Sequence, residues 1–175
     1  MTGVESFATA RLTTEPLLTK HFDEAYALHQ APAVMATLGG LRSEETTREF
    51  LAVNERLWAA RGYGLWLIRD RDSGEFAGRA GLNDLDIEGK AETELAYSLM
   101  PDFWGRGLAT ELAHAMVKIG FETLKLPALI ALTLHTNAKS RRVMEKAGFR
   151  YERDVVKMDL PHILCRQRAE QYSDD

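Results

Sequence analysis

A mixed α/β fold, carried by one domain over residues 1–175, is what the sequence predicts. Three observations predict it. Between residues 65 and 99, short extended segments follow one another across tight turns, the pattern of an antiparallel meander. The stretch 108–124 then keeps helical spacing. Residues 128–134 are nearly all apolar, as in a strand buried on both faces of a partly parallel sheet.

In chain order, residues 10–18 read as a first strand, which Pro16 confines to an edge or makes irregular. Ala25, Tyr26 and Leu28 place a short helix over 23–30, with Asp23 as its cap. A second helix covers 43–61. Ser43 with Thr46 is a partial capping signal, Phe50, Leu51, Asn54, Leu57 and Trp58 keep the spacing, and Gly62 and Gly64 end it. Residues 65–68 form the next strand, 70–74 a turn, 75–85 a strand, and 88–90 another turn. In the strand 93–99, Thr93, Leu95, Tyr97 and Leu99 share one face, and Glu94, Ala96 and Ser98 the other. The helix over 108–124 buries Leu108, Leu112, Ala113, Met116, Ile119 and Leu124 and turns Glu111, His114, Lys118 and Glu122 outward. After the apolar strand, Asn137 caps a short helix over 138–147, which Gly148 closes with Phe149 packing back. Strands over 151–156 and 160–166 and a frayed tail over 171–175 complete the chain.

Composition narrows the function. Apolar residues make up 45% and charged residues 27%, so the chain can bury a core and is ordered apart from its ends. A net charge of −4 argues against a general grip on nucleic acid. The single cysteine, Cys165, leaves no internal disulfide and fits a reducing compartment, where it reads as a small buried apolar residue. No basic stretch followed by an apolar run opens the chain, and the longest apolar run, 126–134, is too short to span a bilayer. The expectation is a cytoplasmic enzyme or binding domain, monomer or homodimer, with no membrane or direct nucleic-acid partner.

The chemistry is placed where the strand 93–99 passes through Met100-Pro101-Asp102-Phe103-Trp104-Gly105-Arg106-Gly107-Leu108-Ala109-Thr110-Glu111 into the long helix. Gly105 and Gly107 let the backbone take unusual dihedrals just before a helix whose first amides have no internal partners. Such amides, at the positive end of the helix dipole, suit a phosphate or pyrophosphate. A dinucleotide-binding loop of the Rossmann kind fails here: Gly105-Arg106-Gly107-Leu108-Ala109-Thr110 lacks the final Gly or Ala, and the preceding strand alternates with polar residues.

Glu94-Leu95-Ala96-Tyr97, the run from Pro101 through Glu111, Asn137-Ala138-Lys139-Ser140 and Glu145-Lys146-Ala147-Gly148-Phe149 together resemble the GNAT superfamily of acyl-CoA N-acyltransferases. Within it the chain is most similar to the Rim-type branch, the ribosomal-protein N-terminal acetyltransferases and their relatives. The resemblance implies a mostly antiparallel mixed sheet of six or seven strands with about four helices, and central strands that splay to admit the pantetheine of acetyl-CoA. It implies that the backbone of Trp104, Gly105, Arg106, Gly107, Leu108, Ala109 and Thr110 holds the pyrophosphate. Backbone groups of Ser98, Leu99 and Met100 would hold the pantetheine and polarise the thioester, and Asn137 would contact the cofactor from the opposite wall. It departs from the family in two places. Trp104 stands where the signature begins with Gln or Arg, and Met144 stands where many members carry a general-acid Tyr.

Acetyl transfer needs an unprotonated amine, a polarised carbonyl and a proton for the departing thiolate. Glu94 is the candidate base, directly or through water; the alternative is an exposed or ion-paired strand glutamate. Ser140 is the candidate acid in place of Met144; the alternative is a first-turn serine bonded to local backbone. Arg106, Lys139, Arg141 and Arg142 flank the loops that would meet the CoA phosphates. His135 would line the cleft or be buried with a hydrogen-bond partner. No cluster has metal-ligand spacing. The acceptor is a protein N-terminal amine or a small-molecule amine, and the rival function is a non-catalytic acyl-CoA-binding module.

Overall fold

In the computed structural model, which describes residues 4–173, β1 (Leu12–Pro16), α1 (Phe22–His29), the single-turn α2 (Pro32–Met35) and α3 (Glu44–Arg61) lead into β2 (Leu65–Asp70), β3 (Phe76–Ile87) and β4 (Lys90–Leu99). Then follow α4 (Leu108–Lys118), β5 (Ala128–Leu134), α5 (Ala138–Lys146), β6 (Arg150–Lys157) and β7 (Leu160–Arg168). The first three residues of the stretch expected to carry no signal peptide, and Asp174 and Asp175 of the expected frayed tail, lie outside the described residues.

The strands form one seven-stranded sheet in the order β1-β2-β3-β4-β5-β7-β6. Only β4 and β5 run parallel. The meander read from the sequence is β2-β3-β4, and Pro16 sits on the edge strand β1, where no further neighbour needs its missing N–H. Period-2 alternation sorts the side chains. Leu95 and Leu99 face α4 and α5, in one core with Ala80, Leu82, Leu129, Leu112, Met116 and Met144. On the other face Leu65 and Leu67 meet Leu17, Ala25 and Leu51 beneath α1 and α3, while Ile130 and Leu164 meet Ile87 and Val155.

Local signals placed most boundaries. Ser43 Oγ accepts from the Thr46 amide at 3.1 Å, and Gly62 closes α3 in the left-handed region at φ 70°. Asn137 Oδ1 accepts from the Ser140 amide at 3.2 Å and caps α5. Four readings change. Asp23 lies inside the first turn of α1 and caps nothing; His21 holds the cap position without a side-chain bond. α2 is an additional helix, started by Pro32 at its first position. The α-helical winding of α4 stops at Lys118 and continues to Thr123 as wider π-type turns. The tail is anchored through Tyr172, whose ring lies 5.4 Å from that of Phe121 and whose hydroxyl donates to Glu122 at 2.9 Å.

Asn54, read as a member of an apolar stripe, is a buried polar staple. Its amide donates to the carbonyls of Leu17 (2.7 Å) and Leu65 (3.1 Å), and its oxygen accepts from the Leu65 amide (2.8 Å), tying α3 to the start of β2.

The feature that positions the site is the joint between β4 and β5. The two strands share a single bridging pair, Glu94 opposite Ile130, and past it residues 95–99 and 131–134 part. On the closed side Arg166 of β7, in register with Ile130, reaches across β5 to Glu92 with two bonds of 2.8 Å and holds Glu152 of β6 at 2.7 and 3.1 Å. Arg166 and Glu92 are nearly buried, with 6% and 7% of their side chains exposed, so the pairing is little screened. Removing one partner of such a pair strands the other charge, so Arg166→Met is expected to lower the unfolding free energy by about 3 kcal/mol in denaturant titration. Arg166 also holds the Glu92 and Glu152 carboxyls below their ordinary value of 4.5. This contribution is complete above pH 4.5 and lost as pH falls through the depressed folded-state values. Stability of the parent chain should therefore fall more steeply below pH 4.5 than that of Arg166→Met.

Candidate active site

At the open end of the sheet the chain leaves β4, turns through Pro101–Phe103 and enters α4 by way of Gly105 and Gly107, at φ 72° and 75°. These angles lie in the left-handed region, where a Cβ is strained, which is why glycine stands at both positions. No amide from Gly105 through Thr110 meets an acceptor among the described residues, and α4 has no side-chain cap. The result is a solvent-facing row of main-chain donors at the positive end of the α4 dipole.

Long-range contacts hold this loop. The Trp104 indole donates to the Leu99 carbonyl at 2.7 Å, and Lys139 at the start of α5 lies 5.4 Å over the Trp104 ring. Trp104 thus pins the loop to the end of β4, a role Gln or Arg would not fill in the same way. Glu111, expected only on a polar stripe, accepts from the amide and guanidinium of Arg11 at 2.9 and 2.7 Å, and from the Thr9 hydroxyl. Arg11 in turn donates to the Arg106 carbonyl at 2.7 Å. The Arg106 side chain itself turns toward Asp70 (3.5 Å) and the Phe103 ring. Lys139 is exposed beside the loop, and Arg141 and Arg142 are exposed farther along α5, where Arg141 is felt by Cys165 of β7.

The strand positions divide by backbone direction. The Met100 amide donates to Ala77 of the β3 side at 2.8 Å, and Ser98 lies opposite Arg79 in the same ladder. Successive residues of an antiparallel strand turn their backbone groups to opposite sides. Ser98 and Met100 therefore spend theirs on β3, whereas Leu99 and Tyr97 turn theirs toward the gap. Of the three expected backbone contacts, Leu99 is the one whose amide faces the opening.

Tyr97 was not among the sequence-derived site residues. Its hydroxyl lies 2.8 Å from Ser140 Oγ and 3.2 Å from the Ser140 carbonyl, bridging β4 to the first turn of α5. Burial pushes the Tyr97 hydroxyl up to about 12, so it keeps its proton at neutral pH. Ser140 Oγ also contacts Met144 Sδ at 3.8 Å, and Met144 is 2% exposed with no proton to give. The one sequence signal for Tyr97 was its place facing the α5 side of β4.

Glu94 sits at the apex of the parted strands, 7% exposed, with Lys157 Nζ at 3.6 Å. Burial raises its carboxyl, against the opposing pull of Lys157 and Arg79. His135 neither lines the gap nor is buried: it is half-exposed and contacts Asp154 at 3.2 Å. Cys165 is buried, which pushes its thiol up. Two surface hollows of about 620 and 380 Å³, one between α4 and α5 near Gln167 and one beside Glu92 and Arg166, contain none of Glu94, Tyr97 or Ser140.

Parted strands, a free amide row and a buried carboxylate at the apex fit an acyltransferase that takes its acyl group from a coenzyme A thioester. Residues 11–150 match the family described as Acetyltransferase (GNAT) domain. The chain is 34% identical over 142 residues to the uncharacterized protein YkkB of Bacillus subtilis, covering 81% of this chain and 83% of that one. It is 32% identical to the FsC-acetyl coenzyme A-N(2)-transacetylase of Aspergillus fumigatus, over 94% of this chain and 74% of that one. The ribosomal-protein-S5-alanine acetyltransferase of Vibrio fischeri shares the fold, with a TM-score of 0.78 over 96% of this chain and 98% of that one at 16% identity. The chain belongs to the GNAT acetyltransferase family. It is an acetyl-CoA-dependent N-acetyltransferase.

Because Glu111 and Arg11 brace the loop without belonging to its amide row, Glu111→Ala should weaken CoA binding about tenfold in calorimetry through loss of preorganisation. The far-UV circular dichroism should be unchanged.

Proposed function

We propose that a primary amine attacks the acetyl thioester directly, within one domain over residues 1–175. The observation that carries this reading is the single Glu94–Ile130 bridge, which leaves a gap with the amide row at one wall and Ser140 and Tyr97 at the other. The amides from Gly105 to Thr110 bind the pyrophosphate of CoA; that of Trp104, expected among them, already donates to the Pro101 carbonyl at 3.0 Å. Lys139, Arg141 and Arg106 screen its phosphates, and Asn137, whose oxygen caps α5, offers its amide nitrogen from the far wall. Leu99, supported by its neighbours Ser98 and Met100, turns its amide to the pantetheine end.

As the amine nitrogen bonds to the carbonyl carbon, its surplus proton passes to Glu94, directly or through water. The C–S bond then breaks, and the thiolate takes a proton from Ser140, which Tyr97 replenishes; water returns a proton to Tyr97 and takes the one held by Glu94, restoring both groups. A base matters because an α-amine of pKa about 8 is mostly protonated at neutral pH. Named relatives support both acceptor kinds: the Aspergillus protein is named for an N(2) position of FsC, the Vibrio protein for an alanine of a ribosomal protein. A cytoplasmic location and a monomeric or homodimeric state, without membrane or direct nucleic-acid partners, complete the reading on composition.

The test is acetyl-CoA-dependent thiol release with a panel of small amines and N-terminal peptides. Turnover of any amine supports the reading. CoA binding without turnover of any of them would leave an acyl-CoA-binding module instead, which the proton-less Met144 would suit.

Three outcomes are expected of variants. Gly107→Asp, which sets a negative charge beside the amide row, should weaken CoA at least tenfold while the fold persists. Glu94→Gln should lower kcat/KM by about a hundredfold and, with kcat/KM expressed against unprotonated amine, abolish its acid limb, which the raised carboxyl places above pH 4.5. If Tyr97 acts through Ser140, the Tyr97→Phe, Ser140→Ala double variant should be no slower in kcat than Ser140→Ala alone.

A further inference from the structure

On the face of the sheet away from the CoA loop, two arginines converge without an acid. Arg79 of β3 is 7% exposed, and its Nε has no hydrogen-bond partner. Its guanidinium lies 4.9 Å from the Phe50 ring centroid, and that of Arg42 lies 5.5 Å from the same ring. Neither has a carboxylate within ion-pair distance among the described residues; the acid that Arg79 feels is Glu94, whose close partner is Lys157. Burial lowers Arg79 to about 10, which leaves it charged at neutral pH.

Arg42 is held in place by a relay whose protons can be assigned. The Thr47 hydroxyl donates to the Ser43 carbonyl at 2.9 Å, so Thr47 Oγ1 accepts from His29 Nδ1 at 2.8 Å. That tautomer leaves His29 Nε2 as the acceptor for Arg42 Nη1 at 3.3 Å. Burial, with the two arginines, lowers His29 to about 3, so the ring is neutral and adds no charge of its own. Arg42 and Phe50 are half-buried, forming a mouth above the buried Arg79.

A buried guanidinium whose Nε has no partner is costly unless an anion completes it, and the Nε edge of a guanidinium matches a carboxylate side-on. Arg79 lies opposite Ser98 on the same face as Glu94, where the acceptor amine would arrive. The CoA phosphates bind on the other face, so they do not supply the missing charge. A phosphate dianion would set its second charge toward Glu94, which favours a monoanion.

Resting on the transferase reading, we infer that Arg79 and Arg42 bind a carboxylate carried by the acceptor itself, so that the substrate is a small amine bearing a carboxylate. The test uses matched amines, 4-aminobutyrate against n-butylamine and lysine against cadaverine, with thiol release and calorimetric binding both read. The carboxylated member of each pair is expected to have at least a tenfold higher kcat/KM and, in binding, to be the member that competes. Arg79→Met should abolish that preference through KM without lowering the melting temperature, since an apolar isostere replaces a buried charge that has no carboxylate in ion-pair contact. Arg42→Gln, at the half-exposed mouth, should reduce the preference and guards against a misfolded Arg79 variant. Equal turnover and binding of both members, or equal competition by inorganic phosphate, would overturn the inference. So would a melting temperature that drops in Arg79→Met with the preference intact. Arg79-dependent binding of 4-aminobutyrate with no turnover of any amine would uphold the carboxylate site while removing the transferase reading.

Discussion

How far β4 and β5 stay joined governs everything downstream of them. Arg166 clasps Glu92 across β5 on one side of the Glu94–Ile130 bridge, and nothing comparable ties the strands on the other. A bidentate guanidinium–carboxylate contact in a nearly dry setting is strong and directional, so the closed end is rigid. The open end can then part without the sheet unravelling. Its exposed backbone edges face a gap that the loop and α5 flank.

Burial differs in its effect on the two faces. On the α4 side it keeps a phenol protonated beside a serine, giving a donor. On the α1 side it raises a carboxyl and leaves two arginines without an acid, giving an acceptor for protons and a place for negative charge. The same physical term, loss of hydration, thus sorts a protonated phenol to one side of β4 and a raised carboxyl to the other. Alternation along a single strand makes the sorting possible: Glu94 and Tyr97 stand three residues apart, and therefore on different faces.

What was legible in the sequence was local. Gly105 and Gly107, the capping Asn137, the edge-confining Pro16 and the alternation of 93–99 act within a few residues, and each stands as read. The missed features join distant positions. Arg11 and Glu111 are a hundred residues apart, Glu92 and Arg166 seventy-four, and Tyr97 and Ser140 forty-three, so no spacing rule links them. Asn54 misled because an amide facing the chain interior keeps the same helical period as a leucine. Asp23 misled because a capping residue type two positions too far in serves only the dipole. The expected backbone contacts at Ser98 and Met100 required knowing which edge of β4 was already taken, a matter of sheet order.

The donors of the CoA loop come from its main chain, which makes its vocabulary unusually loose. Side chains at Trp104, Arg106 and Leu108 brace or pack; they do not present the amides. Over generations such a segment can exchange its letters while keeping its grip, provided two torsion angles survive. That freedom stops at Gly105, Gly107 and Trp104, which set the angles or pin the loop; the other letters can drift while the shape endures.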